Sequence, residues 1–503
     1  MHSCLHIEEI LQKIAENVED KKSLAHMALT CRAFYEPALN FCWETLHEFT
    51  PLLRCLPADV IDVEDRELHH PDPNYADVVL VELWSLNRQL TLVECARFFH
   101  HSVRVRTLVT EGCPKDLQDM PTKFDHTCYT ILLASLQGAV AFPNLRSLCH
   151  RVSADPSDPL ALFLGPSLRE VTYEYDTDAE DQNYLADRSI GALCKAVPAL
   201  ECIHMGTGVA GTEAISALSS LPSLHTLGIR LDDSNDLSGA LSRIVPTAAP
   251  SFASLRTLVL HAPADTAPRR TGTLIPIQNG IAFLNSLSAA GCQLHELVVD
   301  LICQTSEATI YALCTAMAAF APTLKSCSFH VPPGLHVASD PLNIHLLSPL
   351  LQIPCLRAFN PWAAHFETTD ADFARMAQAW PHLTQLTLGD QTWHTPSHTT
   401  LDGLAAIAAG WPALDALMLK VSDAADTAAL RVAAPHTALT TLTLGGGHVT
   451  RDFEAGAAFV GRLFPNAVVC FLHRDYKVMQ AWEQSLLAAQ RAERERLGIA
   501  EDP

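Results

Sequence analysis

The residues Gly206-Thr207-Gly208-Val209-Ala210-Gly211 form a G-x-G-x-x-G run. After a strand and before a helix, such a run lets backbone N–H groups approach a pyrophosphate, and an acid about 20 residues on can take a ribose hydroxyl. Leu200–Met205 reads as the strand, Glu213–Leu221 as the helix, and Asp232 and Asp233 follow at the right distance. The same strand–loop–helix unit recurs along the chain without glycines, however, and no catalytic set accompanies the run. Nucleotide binding through Gly206–Gly211 is therefore the distant reading, and no cofactor is expected.

The 24 histidines invite a metal search. His394 and His398 are separated by Pro396, so they cannot share one helix face. His69/His70 and His100/His101 are adjacent pairs without nearby cysteine. No H-E-x-x-H occurs, and a tetrahedral zinc site needs about four convergent ligands, so no metal is expected. The 16 cysteines are scattered, with no C-x-x-C pair. Cys292, Cys303 and Cys314 read as small apolar core fillers. No Walker loop or nucleophile elbow is present, and no catalytic residue is assigned.

Composition narrows the partners. The net charge is −22, from 34 basic and 56 acidic residues. That balance disfavours nucleic acid, which needs a basic footprint, and an anionic membrane surface. No signal segment is evident, and Ala308–Leu324 reads as a buried helix rather than a membrane span. Absent N-x-[ST] sites and scattered cysteines point to a reducing, intracellular compartment, cytoplasmic or nuclear.

The elements that would carry any site are repeats. From about residue 140 to 470 a proline is followed two residues later by a leucine that opens a short apolar strand. Pro143/Leu145, Pro198/Leu200, Pro322/Leu324 and Pro412/Leu414 are instances. The eleven opening leucines are spaced roughly 29 residues apart, within the leucine-rich-repeat range. Each opens L-x-x-L-x-L, as in Leu383, Leu386, Leu388, and the last two alternate so that one strand face is buried. A helical stretch precedes each proline, which stops it for want of an N–H. The expected fold is an α/β solenoid: an irregular leucine-rich-repeat array, parallel strands on one face and helices on the other. A single unit cannot bury its own faces, so the units must stack.

The N-terminus differs. Ile7, Ile10, Leu11 and Ile14 recur at helical spacing, as do Leu24, Met27, Ala28, Leu29 and Cys31 after a polar turn at Glu19–Ser23. A module this short has more apolar surface than it can hide alone. Ile7-Glu8-Glu9-Ile10-Leu11 is similar to the opening of an F-box, with the family's early proline replaced by Glu8 or displaced. Leu24 to Phe34 resembles its second helix. Glu36-Pro37-Ala38-Leu39 and Trp43 resemble F-box proteins of mushroom-forming (basidiomycete) fungi, in which irregular leucine-rich repeats follow.

The resemblance implies a non-catalytic substrate receptor. Its F-box would dock a Skp-family adaptor and through it a cullin–RING ubiquitin ligase, while the repeats hold a protein substrate for ubiquitin-dependent degradation. The positions matching the family's pattern are Ile7, Glu9, Ile10, Leu11, Ile14, Leu24, Ala28, Leu29, Cys31, Arg32, Phe34 and Trp43. The alternative is a leucine-rich-repeat scaffold without ligase attachment.

The expected domains are an F-box-like module at 1–50, a connecting and capping segment at 51–100, the solenoid at 101–470 and a capping helix at 471–503. Within 51–100, Asp62–Asp77 reads as a charged loop. In the last helix Trp482, Leu486, Leu487 and Gln490 share a side. Residues between the strand leucines would face a substrate. The candidates are Glu174, His204, Arg230, Glu296, Asp300, His330, Trp362, Gln385 and Met418, with the two large side chains Trp362 and Met418 as possible anchors.

Overall fold

The computed structural model describes residues 7–69, 78–110, 122–124, 126–152, 159–175, 182–231, 252–261, 277–300, 306–330, 342–362, 366–388, 398–421, 434–446, 453–472 and 476–499. The chain divides into two compact units, one of residues 1–232 and one beginning at 233.

Fourteen parallel strands carry the repeats. The first unit runs Thr45–Leu46, Thr107–Val109, Ser147–Val152, Glu170–Tyr175, Cys202–Ala210 and Thr226–Leu231, each paired with the next. The second runs Thr257–Leu260, Glu296–Asp300, Ser326–His330, Ala358–Trp362, Gln385–Leu388, Ala416–Val421, Thr441–Gly446 and Val468–Leu472. Helices return the chain between most rungs. The fold is therefore the expected α/β solenoid of irregular leucine-rich repeats, preceded by a small helical module.

The leucine columns explain why it stacks. The eleven opening leucines, from Leu145 to Leu439, are all fully buried. So are their partners three positions on, from Leu148 to Leu442, whether leucine, valine, isoleucine, cysteine or phenylalanine. A fully buried leucine contributes about 1.5–3 kcal/mol relative to exposure. The columns are thus one continuous part of the burial that offsets the backbone entropy of each rung.

Local chemistry sets the helix ends. Thr369 and Asp372 form a reciprocal capping box at the start of Asp370–Ala379. Ser306 and Thr400 accept from Thr309 N and Asp402 N to start Glu307–Ala318 and Leu401–Gly410. Those last two helices end just before their prolines' strands, as the sequence implies. In the second unit the rungs are also joined by buried indoles. Trp380 Nε1 donates to Leu350 O at 3.0 Å, and Trp411 Nε1 donates to Trp380 O at 2.9 Å. His436 continues the line. Its Nδ1 accepts from Leu439 N at 3.2 Å, so Nε2 carries the proton and donates to Trp411 O at 2.8 Å.

Several expectations are corrected. The supposed loop at 62–77 begins as a strand, Ile61–His69, antiparallel to Val78–Leu86, which pairs with Thr122–Phe124. Its acidic residues hid it, yet nine ladder pairs against an apolar partner strand hold it. Gly206, Thr207 and Gly208 lie inside the strand Cys202–Ala210, whose register shifts between His204 and Val209. Gly211 is the N-cap of Thr212–Ser219. The run is extended chain, so its N–H groups do not form a phosphate-cradling turn. In Tyr476–Leu497, Trp482, Leu486 and Gln490 are buried but Leu487 is exposed. Gly461 lets this helix approach, because a Cβ there would lie 2.8 Å from Leu486 O. Cys292 and Cys314 are buried fillers, and burial pushes the Cys292 thiol up to about 11; Cys303 lies outside the described residues.

No helix among the described residues is long and apolar enough to cross a membrane.

Candidate protein-docking surface

The N-terminal module consists of α1 (Glu8–Glu16), α2 (Lys21–Thr30) and α3 (Arg32–Glu44). Asp20 caps α2, accepting from Lys22 N at 3.1 Å and Ser23 N at 2.7 Å. The Ser23 side-chain hydrogen bond first, then the backbone bonds from Ser23 and Lys22, hold its carboxyl below the usual range. Cys31, fully extended at φ −162°, separates α2 from α3. The core is small: Ala15, Leu24, Ala28 and Ala38, with Val18, Met27, Leu39, Phe41 and Cys42 against it. Alanines at the centre let the helices approach closely.

Helix α1 carries two apolar stripes. Leu11, Ala15 and Val18 recur at spacings of four and three and turn inward. Ile7, Ile10 and Ile14 recur at three and four and form a second stripe. Ile7 and Ile14 are exposed by 47% and 39%, and Ile10 is half-buried. On α2, Leu24 and Ala28 close the core while Leu29 is 81% exposed. Tyr35 of α3 is exposed as well. An apolar residue as open as Leu29, on a module whose core is already closed, marks a surface suited to a partner.

The family-matched residues therefore divide. Leu11, Leu24 and Ala28 are core. Ile7, Glu9, Ile14, Leu29 and Arg32 face outward, while Ile10, Cys31 and Phe34 are half-buried. Trp43 does neither job alone: it stacks on His101 at 4.1 Å and 21°.

That stack is part of a set of contacts that attaches the module to the first rungs. The module's last residues continue into the strand Thr45–Leu46, which pairs with Thr107 and Leu108. Arg104, its side chain 9% exposed, donates to Glu36 at 2.6 Å and to Asn40 Oδ1 at 3.1 Å. It also donates to His100 O. Arg106 pairs with Glu44 at 2.8 Å. Burial, then the charges of His100, Arg104 and Arg97, hold His101 down at about 4, so it stacks as a neutral ring. A cleft of about 1060 Å³ runs between α1, α3 and the first rungs, with Glu9, Lys13, Arg104 and Arg146 among its lining.

The candidate substrate face is less uniform than the sequence suggests. Glu296 and Gln385 are exposed, and Met418 is half-buried. Asp300 meets His261 at 3.2 Å. Arg230 is only 8% exposed. His204 lies over Gly228 on the next rung, where any Cβ would collide with its ring. Glu174, His330 and Trp362 sit on described strands, but their side chains lie outside the described residues. Among the described residues no three His, Cys, Asp or Glu side chains converge as a metal site.

Sequence reasoning missed one repeated feature. The residue directly after each opening leucine forms its own column at the sheet edge. It reads Arg106 (after Val105, in the first short rung), Arg146, Arg169, Glu201 and His225 in the first unit. In the second it reads Arg256, His295, Lys325, Arg357, Thr384, Asp415 and Thr440. Aligning the rungs on their leucines would have exposed it.

The fold defines a repeat solenoid of the leucine-rich type. No family model matches the chain, and no curated protein matches it. Among solved structures, the complex of Rad7 and Elc1 from yeast is similar, at 13% identity and a TM-score of 0.40, covering 76% of this chain and 81% of that one. At that TM-score the likeness bears no weight on function.

Proposed function

We propose that the chain is a non-catalytic substrate receptor of a Skp–cullin–F-box ubiquitin ligase. The helical module docks a Skp-family adaptor, and the repeats hold a protein substrate inside the cell. The reading rests on the F-box-like pattern at 7–43, and one observation carries it: α1 presents a second apolar stripe, and Leu29 stands 81% exposed, beside a core that neither completes. Attachment of the module to the first rungs suits a receptor, because joining an adaptor site to a substrate site in one chain raises the effective concentration of substrate lysines near the ligase.

Pull-down of the purified chain with a Skp-family adaptor tests it, comparing wild type with Ile14→Asp/Leu29→Asp. Both side chains are exposed, so the fold should survive, unlike changes at the buried Leu11. Capture by wild type and loss in the folded variant is expected. If the wild type captures no adaptor, the chain is instead a binding scaffold whose helices cap the first rungs.

A further inference from the structure

We propose that the edge of the second unit formed by Arg256, His295, Lys325 and Arg357 binds an extended acidic peptide segment of a protein partner. This goes beyond the receptor reading and holds equally for a scaffold.

The four residues stand on consecutive rungs. His295 N donates to Arg256 O, Lys325 N to His295 O and Arg357 N to Lys325 O, each at 2.7 Å. Their side chains leave equivalent points where the chain enters the strands. Lys325 and Arg357 are exposed, and Arg256 and His295 are half-exposed. The Arg256 guanidinium turns to the carbonyl of Leu255 at 2.9 Å. Among the described residues, none of Arg256, Lys325 and Arg357 has an ion-pair partner. Yet acids outnumber bases 56 to 34 in this chain. Three uncompensated cations side by side repel one another, and His295 between two of them is held below its ordinary value, by burial first and then by Lys325 and Arg256. An anion laid along the row relieves that repulsion.

Spacing favours a peptide. Neighbouring strands lie about 4.8 Å apart, so four rungs span about 14 Å. Alternate side chains of an extended peptide recur at about 6.7 Å, so carboxylates at i, i+2 and i+4 span nearly the same length. Nucleic acid fits less well. The row is short, and the net charge of −22 repels a long polyanion more than a short acidic segment.

The test is fluorescence anisotropy with a labelled Glu-Ser-Glu-Ser-Glu-Ser-Glu peptide and the full chain, without adaptor, so failure leaves the adaptor reading untouched. Saturable binding is expected, weakened at least tenfold in Lys325→Glu/Arg357→Glu, unchanged in Arg146→Glu, and weakened by salt. Circular dichroism checks the variant; Lys325→Gln/Arg357→Gln replaces it if the charge reversal alters the fold. Four results overturn the proposal: no saturable binding by wild type, equal binding by the double variant, equal binding of a Gln-for-Glu peptide, or tighter binding of a short oligothymidylate.

Discussion

At the edge column after the opening leucines, the two units carry the same residue type and treat it differently. The first unit sets acids beside most of its column cations, Arg146 excepted, and beside the neighbouring Arg104. Glu36 holds Arg104, Glu44 holds Arg106, and Glu201 lies 3.5 Å from Arg169 and 3.6 Å from His225. The second unit sets Arg256, Lys325 and Arg357 in a row with no such partner among the described residues. The leucine columns behind them are equally buried in both. The core therefore dictates where the edge residues stand, but not whether their charge is answered from within. Internal pairing in the first unit joins the helical module to the rungs. The row in the second meets no such acid among the described residues, as the proposed peptide site requires.

The comparison can be pressed with graded substitutions. The largest effects should be alike in both units: Leu145→Ala and Leu294→Ala should each cost about 2–5 kcal/mol in denaturant unfolding, and a clear disparity would break the claim of equivalent columns. Next, Arg104→Ala should destabilise the first unit by roughly 1–3 kcal/mol, because it removes charge-assisted hydrogen bonds to Glu36, Asn40 and His100 O and the packing of a nearly buried side chain. Arg357→Glu should leave unfolding of the second unit within about 0.5 kcal/mol, as for exposed charges.

Acid should act on the first unit through His101. Its folded value is depressed, so its contribution is present above the ordinary histidine value and is lost as pH falls toward about 4. Melting curves from pH 7 to pH 4 should show this decline, and His101→Leu should flatten it. The smallest effect is local: Lys325→Glu should raise the titration midpoint of His295 seen by NMR, since one repelling charge becomes attracting.

Much of this molecule was legible beforehand. The proline stops and the L-x-x-L-x-L period follow from backbone chemistry and side-chain alternation, which act locally, and the strands Gln385–Leu388 and Ala416–Val421 lie where that period puts them. The strand at 61–69 was not legible, because five of its nine residues are charged and its support comes from pairing with the next, more apolar strand Val78–Leu86 rather than from its own pattern. The glycine run misled for the opposite reason: its spacing fits a turn, but it lies in the strand Cys202–Ala210, where Val209 and Ala210 pair with Arg230 and Leu231. The helical module falls between these cases. Its apolar positions were evident, whereas their division into core and surface was not, because two stripes on one helix are equivalent until a neighbour covers one.

The sequence by itself determined the repeat, the helical module and the residues available to each, since period, proline and polarity are properties of short segments. Only the tertiary structure decided which stripe of α1 stays open, that Trp43 leans on His101, and that cations about 30 residues apart in the chain become adjacent. Those outcomes depend on what packs or pairs alongside, and stacking brings together residues that no local pattern joins.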